Sequence, residues 1–530
     1  IAIQIFCLFI RFLLPVTHGD AISQYFYDSL QISRLDSISI SQYYEIGEYF
    51  RTDSLASFFD AFILQITDNW FLVRTLRLIA LILVLFSSLE LASNIGKINY
   101  KRSILLLAII LTLPDIWDIS LSGKHDGYVL LFELTGIYTI AISLFSKLNY
   151  LKFLFAFIAL FIGFVSIGIR LSSLSFFLIS LSLLIYYVFK SLLDLKINNL
   201  EKVTLKLPYL TLFYFFAIII STFTFAYFNY KYYSNPFYWV SPPGALKIFF
   251  PNEVHAINYE WIKETLSLRN IDSLIKPLLT FIYASLGLEP IRFGLNKFKE
   301  TNEIFRTFSN ILNFIGPQEM MVSILSFSPF TLLPFFGLKG LKDYRKRILL
   351  ILISIWILLW ALSVPYTRVA LASSLSLVIF AFSGNNLFRK TLQKNNLFSL
   401  LRSSLIYYGL ISIILFTAWS FSYLYDLPLK SLIKSDFYSR TNLTREYIKK
   451  QDKILGKKSL IPDKKFEENW KKIEDNNKGS HIFLLRTPKI YSYFTKKGTI
   501  ISNTKNLYKI PKQKKCYQIN SENMIIDLEC

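Results

Sequence analysis

Sulfur and imidazole are scarce in this chain. Three cysteines (Cys7, Cys516 and Cys530) and four histidines among 530 residues form no recognisable metal-ligand spacing. Cys516 and Cys530 could pair in an oxidising compartment, although their spacing alone leaves the question open. Charge is also thin, at 18%, against 53% hydrophobic and 17% aromatic residues, where an average soluble domain carries about a quarter charged residues. No glycine-rich strand–turn–helix fingerprint is present, which argues against a cytoplasmic enzyme that uses nucleotide sugars. No internal repeat is evident.

What the chain has in abundance is long apolar runs. "FLVRTLRLIALILVLFSSLELA", "YLTLFYFFAIIISTFTFAYF" and "LFSLLRSSLIYYGLISIILFTAWSF" approach the roughly 20 residues that cross a bilayer core. The expected class is an all-α polytopic membrane protein. About eleven transmembrane helices are placed, near 1–16, 70–95, 103–118, 127–146, 152–169, 171–189, 208–228, 318–338, 348–364, 369–384 and 397–423. The chain opens on Ile1, and "IAIQIFCLFIRFLLPV" reads as the remainder of a first transmembrane helix. A cleaved signal peptide is disfavoured because no small-residue cleavage site follows.

The net charge of +22 does not point to nucleic acid. From Asp426 onward 23 Lys and Arg face 12 Asp and Glu, interleaved as on a solvated surface rather than along a phosphate-tracking groove. Much of the remaining excess sits in short loops, "GKINYKR", "SKLNYLK", "KSLLDLKINNLEKVTLK", "KGLKDYRKR" and "FRKTLQKNN". These fall on alternate sides of the spans, which marks that side as cytoplasmic. The opposite side receives residues 17–69, the "SGKHDG" turn, the turn at Arg170, a long 229–317 segment, the "VPYTR" turn and the tail.

Two domains follow: a transmembrane domain over 1–425 and an extracytoplasmic soluble domain over 426–530. The first outer loop, 17–69, reads as two amphipathic helices. The second, "SLASFFDAFILQITDNWF", carries Phe58, Phe59, Phe62, Ile63 and Ile66 at helical spacing. It either lies in the interface as one wall of a lateral opening or caps the bundle. The 229–317 loop is long enough to be a lid or to hold helices of its own. In the tail, "GSHIFLLRTPKIYSYFTKKGTIISN" alternates as strands do, so a small α+β domain is expected.

Charge beside hydrocarbon is costly unless solvated, paired or used, so polar residues at the outer boundary are the candidate site. Asp20, just after His18 in "PVTHGDAISQYFYDSL", follows the first span. Lys124, His125 and Asp126 precede the fourth. Arg170 stands between two apolar spans, and Arg368 lies in a tight turn. Each also has a structural role open to it. Asp20 and Asp126 suit helix N-caps, and both arginines could reach for headgroups. Glu133 either meets a buried polar partner or faces a cavity. Glu253 and His255 could reach over the site from the long loop. Trp239 and Trp261 could stack on a sugar or anchor at the interface.

Three motifs together resemble the polytopic glycosyltransferases of the GT-C fold, in the style of the protein mannosyltransferase and lipid A aminoarabinose-transferase branch. They are "HGDAISQYF" in the first outer loop, "GKHDGYVLLFELTGIY" before the fourth span and "PYTRVALASSLSL" late in the bundle. The resemblance covers roughly residues 1–190, and 318–384 more loosely. It implies a sugar donor carried on a polyprenyl phosphate or diphosphate, transferred on the outer face of a membrane, with a bacterial plasma membrane as the expected location. The acceptor, whether glycan, lipid or protein, is not specified.

By resemblance Asp20 is the general base. Asp126 orients the acceptor or the base, or holds a divalent cation. Arg368 and Arg170 clamp phosphate, with Lys124 a lesser candidate, and His18 and His125 are further candidates for binding substrate. Many members carry two adjacent acids in the first motif, where this chain has Asp20 followed by Ala21. Two other classes stay open: a transporter or lipid flippase, and a ligase or polymerase of lipid-linked glycans.

Overall fold

The computed structural model describes residues 1–13, 54–67, 70–96, 98–113, 125–198, 328–336, 343–362, 367–383 and 400–411. It also describes strand residues 481–485, 500–504, 515–519 and 525–528, and isolated positions at 29, 33, 116, 278, 281–282, 284–285, 341 and 414. These residues are predominantly helical. Three helices, over Leu72–Ile95, Asp126–Phe145 and Asn149–Ile169, are long and apolar enough to cross a membrane. The expected spans at 208–228 and most of 318–338 lie outside the described residues.

The first three helices bury charged and polar side chains beside apolar ones, while large apolar side chains stand exposed. Helix α1 (Ala2–Leu13) buries Gln4 while Ile3, Ile5, Phe6 and Phe9 are exposed. Helix α2 (Ser54–Thr67) buries Ser57 and Asp60 and exposes Leu55, Phe59, Phe62 and Ile66. Helix α3 (Trp70–Ile95) buries Arg74, Arg77 and Ser88 and exposes Ile79, Ile82, Leu83 and Phe86. Large apolar side chains on the outside, with polar groups buried among apolar ones, suit a hydrocarbon surround in which every polar group needs an internal partner. This is a membrane protein.

The chain forms two compact units. The first comprises Leu81–Ile116 and Tyr128–Ala418, together with Ile1. It holds α4 (Tyr100–Thr112), most of α5 (Asp126–Phe145), α6 (Asn149–Ile169) and α7 (Leu174–Asn198). It also holds the one-turn helix α8 (Leu333–Phe336), α9 (Tyr344–Leu362), α10 (Leu371–Ser383) and α11 (Leu400–Ile411).

Helices α6 and α7 form a hairpin through a 3-10 turn at Leu171–Ser173. Small residues let them approach: a Cβ on Gly163 would stand 3.0 Å from the Phe177 backbone, and one on Gly136 of α5 would overlap the Phe176 ring. The Phe176 ring in turn lies 5.0 Å from that of Trp356 on α9.

Helix α10 is the centre of this unit, with every residue buried. Its serines are satisfied internally: Ser373, Ser374, Ser376 and Ser383 each donate to a carbonyl three or four residues back, so a polar helix can sit in an apolar core. Around it pack α9, α4 and a 3-10 turn at Pro329–Leu332, with Phe330 against Phe382 at 5.4 Å. Within 318–338 the described backbone is this 3-10 turn followed by α8. Pro334 lacks the N–H that would extend the turn's hydrogen bonding.

The second unit comprises Ala2–Ala80, Trp117–Gly127 and Trp419–Cys530. Its C-terminal part contains a four-stranded sheet of β1 (His481–Leu485), β2 (Ile500–Thr504), β3 (Lys515–Ile519) and β4 (Ile525–Leu528), ordered β2-β1-β3-β4. The strand pairs β1–β2 and β1–β3 are parallel, and β3–β4 is antiparallel with Cys516 opposite Leu528. Two of these strands fall within the alternating stretch at 479–503. Parallel neighbours need crossover connections rather than tight hairpins, and residues 486–499 provide the length for one.

Candidate active site

The candidate site lies within the second unit, where α2, the first turns of α3 and the start of α5 contribute buried polar groups. On α2 the sequence places Ala56, Ser57, Asp60, Ala61 and Leu64 on one face, and all five are buried. The small residues let α2 approach its neighbours, and Asp60 then sits on the inward face one turn beyond Ser57. On α3, Arg74 and Arg77 stand three residues apart and point to the buried side.

The Asp60 carboxylate is fully withdrawn from solvent and meets the Arg77 guanidinium in a short ion pair, Arg77 Nη2 donating to Asp60 Oδ2. Arg77 also donates from Nη1 to its own helix at Val73 O, 3.2 Å away. The guanidinium is thus fixed by one charge and one carbonyl, and its planar fork suits such an arrangement. Arg74 lies over the Phe12 ring of α1, 5.4 Å from the centroid, a cation–π contact strengthened by burial.

His125 closes the cluster. It occupies the turn immediately before α5, with its Nε2 3.8 Å from Asp60 Oδ2 and 3.5 Å from Ser57 Oγ. Asp126 follows as the acidic residue of the first turn of α5, where the helix dipole favours a negative charge. Both residues are almost completely buried. The buried charged residues described in this unit are two acids, Asp60 and Asp126, and two arginines, Arg74 and Arg77.

The other expected site residues divide as follows. Asp20, His18 and Lys124 lie outside the described residues, as do Glu253, His255, Trp239 and Trp261. Arg170 and Arg368 belong to the first unit. Arg170 ends α6 in an extended conformation, its N–H donating to Ser166 O at 2.8 Å and its carbonyl accepting from Ser173 N at 3.0 Å. Arg368 lies in the 3-10 turn Thr367–Ala370. Glu133 is buried in the first unit, on α5. Among the described residues no group of three or more His, Cys, Asp or Glu is placed to hold a metal ion.

Sequence reasoning passed over Ser57, Asp60, Arg74 and Arg77. The signal was available: two arginines one turn apart inside "FLVRTLRLIALI", and an acid inside the apolar "SLASFFDAFILQI". Ionisable groups inside membrane helices are costly enough to demand partners. No protein-family model matches the chain, and no curated protein matches its sequence.

Proposed function

We propose that this protein is a membrane glycosyltransferase of GT-C type, moving a sugar from a polyprenyl-phosphate-linked donor to an acceptor on the extracytoplasmic face. The observation that carries the reading is the buried His125–Asp126 turn at the head of an apolar helix, beside the Arg77-neutralised Asp60. A carboxylate held dry at the end of a membrane helix suits a reaction between a lipid-borne donor and a polar acceptor. The reading includes about eleven spans, cytoplasmic basic loops, a bacterial plasma-membrane location and a small α+β appendage at 426–530 on the outer face.

In this reading the acceptor hydroxyl attacks the anomeric carbon of the donor. A carbon–oxygen bond to the acceptor forms as the bond to the phosphate oxygen breaks, and its electron pair leaves with the polyprenyl phosphate. Asp20 takes the hydroxyl proton as general base, a role worth about 10²–10⁴-fold in rate. Asp126 orients the acceptor. The family resemblance assigns the charge that develops on the departing phosphate to Arg170 and Arg368, with Lys124 in support.

The test is transfer by the full-length protein in lipid nanodiscs, from a radiolabelled polyprenyl-phosphate pentose or hexose to acceptors in a membrane extract. Wild type is expected to transfer, with Asp20→Asn and Asp126→Asn reduced about 100-fold or more. A wild-type rate for Asp20→Asn removes Asp20 as base. Absence of both transfer and saturable binding of polyprenyl monophosphate sinks the whole reading.

A transporter or flippase is the second reading, favoured by one observation: Glu133, Asp60 and Arg77 are ionisable groups buried in apolar helices, as in ion-coupled carriers. Labelling of a cysteine at position 126 alternately from both membrane faces would select it.

A further inference from the structure

We infer that Asp60 is a positioning residue: clamped by Arg77, it holds the His125 imidazole and thereby fixes the turn that presents Asp126. This rests on the transferase reading for the role of Asp126, but the link from Asp60 to His125 stands on geometry alone.

On α2 the Asp60 side chain is 0% exposed, so water cannot take the place of its partners. Its Oδ2 is the atom that both accepts from Arg77 and lies nearest His125 Nε2, at 3.8 Å. Ser57 Oγ, on the same helix face, stands 3.5 Å from the same imidazole nitrogen. Two side chains of one helix therefore converge on one nitrogen of His125. Arg77, tied to the Val73 carbonyl of α3, fixes the carboxylate that faces that nitrogen.

His125 is adjacent to Asp126 in the chain, and both are buried. A ring immobilised against α2 restricts the backbone dihedrals of the turn it belongs to, and Asp126 inherits that restriction as the first residue of α5. Ser57, Asp60 and Arg77 thus act on Asp126 without touching substrate. Positioning of this kind matters because a misplacement of about 1 Å at a reacting group costs on the order of 100-fold in rate.

The experiment uses the full chain in nanodiscs, labelled with [13C]histidine. Only four histidines are present, His18, His125, His255 and His481, so the signals are assigned by single His→Gln substitutions. Asp60→Asn keeps the side-chain shape and removes the charge. The expected result is a shift of the His125 resonance with the other three in place, and in the transfer assay a kcat about 10- to 100-fold lower with donor KM within about twofold. Asp60→Glu is expected to recover part of kcat.

Global loss of structure would disturb the His481 signal, in strand β1, together with that of His125. Ser57→Ala, which keeps the ion pair, then decides the matter by whether the His125 signal alone moves. An unmoved His125 signal in every folded variant overturns the proposal. So does a selective shift accompanied by wild-type kinetics. If wild type neither transfers sugar nor binds polyprenyl monophosphate saturably, the transferase reading fails, and the histidine spectra still judge the link between Asp60 and His125.

Discussion

Arg77 and Asp60, on α3 and α2, form an ion pair in which neither side chain is more than 1% exposed, and the same carboxylate oxygen lies 3.8 Å from His125 Nε2. This relationship ties three separate stretches of sequence together through charge rather than through apolar packing. In a bilayer the hydrophobic effect gives helices little reason to associate, so a buried pair of this kind specifies which helices meet and in which register. It also accounts for the composition of α2, whose inward face sets Ser57 and Asp60 among Ala56, Ala61 and Leu64 and whose outward face carries Leu55, Phe59, Phe62 and Ile66.

Removing one partner of the pair should be far worse than removing both. Asp60→Leu leaves the Arg77 guanidinium buried without its counter-charge, and a loss of about 3–5 kcal/mol is expected. The double variant Asp60→Leu/Arg77→Met removes both charges and is expected to recover most of that loss. Thermal unfolding of wild type, Asp60→Leu, Arg77→Met and the double variant in nanodiscs checks it; a double-variant loss equal to the sum of the two single losses would show that the two charges are independent.

The outward face of α2 should be in contact with lipid. Leu55, Phe59, Phe62 and Ile66 are 46–65% exposed, whereas Ser57, Asp60, Ala61 and Leu64 are buried. Spin labels placed singly along 55–66 should show oxygen accessibility, which reports hydrocarbon, with a period of about 3.6 residues. Maxima are expected at 55, 59, 62 and 66. A flat profile, or maxima for a water-soluble relaxant at the same positions, would place this face in water.

Three of the described helices were legible in the sequence because their apolar runs match the bilayer thickness. The expected 70–95 and 127–146 spans differ from α3 and α5 by at most one residue at either end. In α2 the aromatic face was visible but the polar face was not used. A period of 3.6 identifies which residues share a side, whereas deciding which side is buried requires knowing the solvent. Arg77 was hidden for a related reason: a lone charge in an apolar run reads as tolerated until its partner is found, and Asp60 lies 17 residues earlier on another helix. The turn at Lys124, His125 and Asp126 was found because it interrupts two apolar runs. The order of strands in the C-terminal sheet depends on crossovers that local alternation does not encode.

Gly136 should resist even the smallest substitution. A Cβ at this position of α5 would overlap the Phe176 ring, and Phe176 is fully buried against Trp356, so the ring has little room to retreat. Gly136→Ala is expected to destabilise by about 1–3 kcal/mol, the usual range for overpacking. Combining it with Phe176→Leu should be less damaging than the sum of the two single changes, because the smaller side chain frees the space. Additivity would mean that the two positions do not compete for volume.

Asp343 offers a pH-dependent test outside the membrane-spanning helices. It precedes α9, where its Oδ1 accepts from the Arg345 backbone N–H at 3.0 Å and from Arg345 Nε at 3.2 Å, while Oδ2 accepts from Arg345 Nη2 at 3.3 Å. Partial burial alone would raise the carboxyl. The hydrogen bonds from the Arg345 side chain and backbone, with the charges of Arg345 and Lys346, outweigh that and hold it below its ordinary value of 3.8. A carboxylate with a depressed pKa contributes stability that is fully present above the ordinary value and is lost as pH falls through the lower folded one. Asn retains the capping geometry but not the charge, so Asp343→Asn isolates the electrostatic part. The wild-type advantage over this variant should be small at neutral pH, because the pair is partly exposed and screened, and should vanish in acid. Thermal unfolding of both proteins from neutrality down to about pH 3 measures it. An advantage that grows on acidification would reverse the sign of the shift and remove the carboxylate as the group responsible.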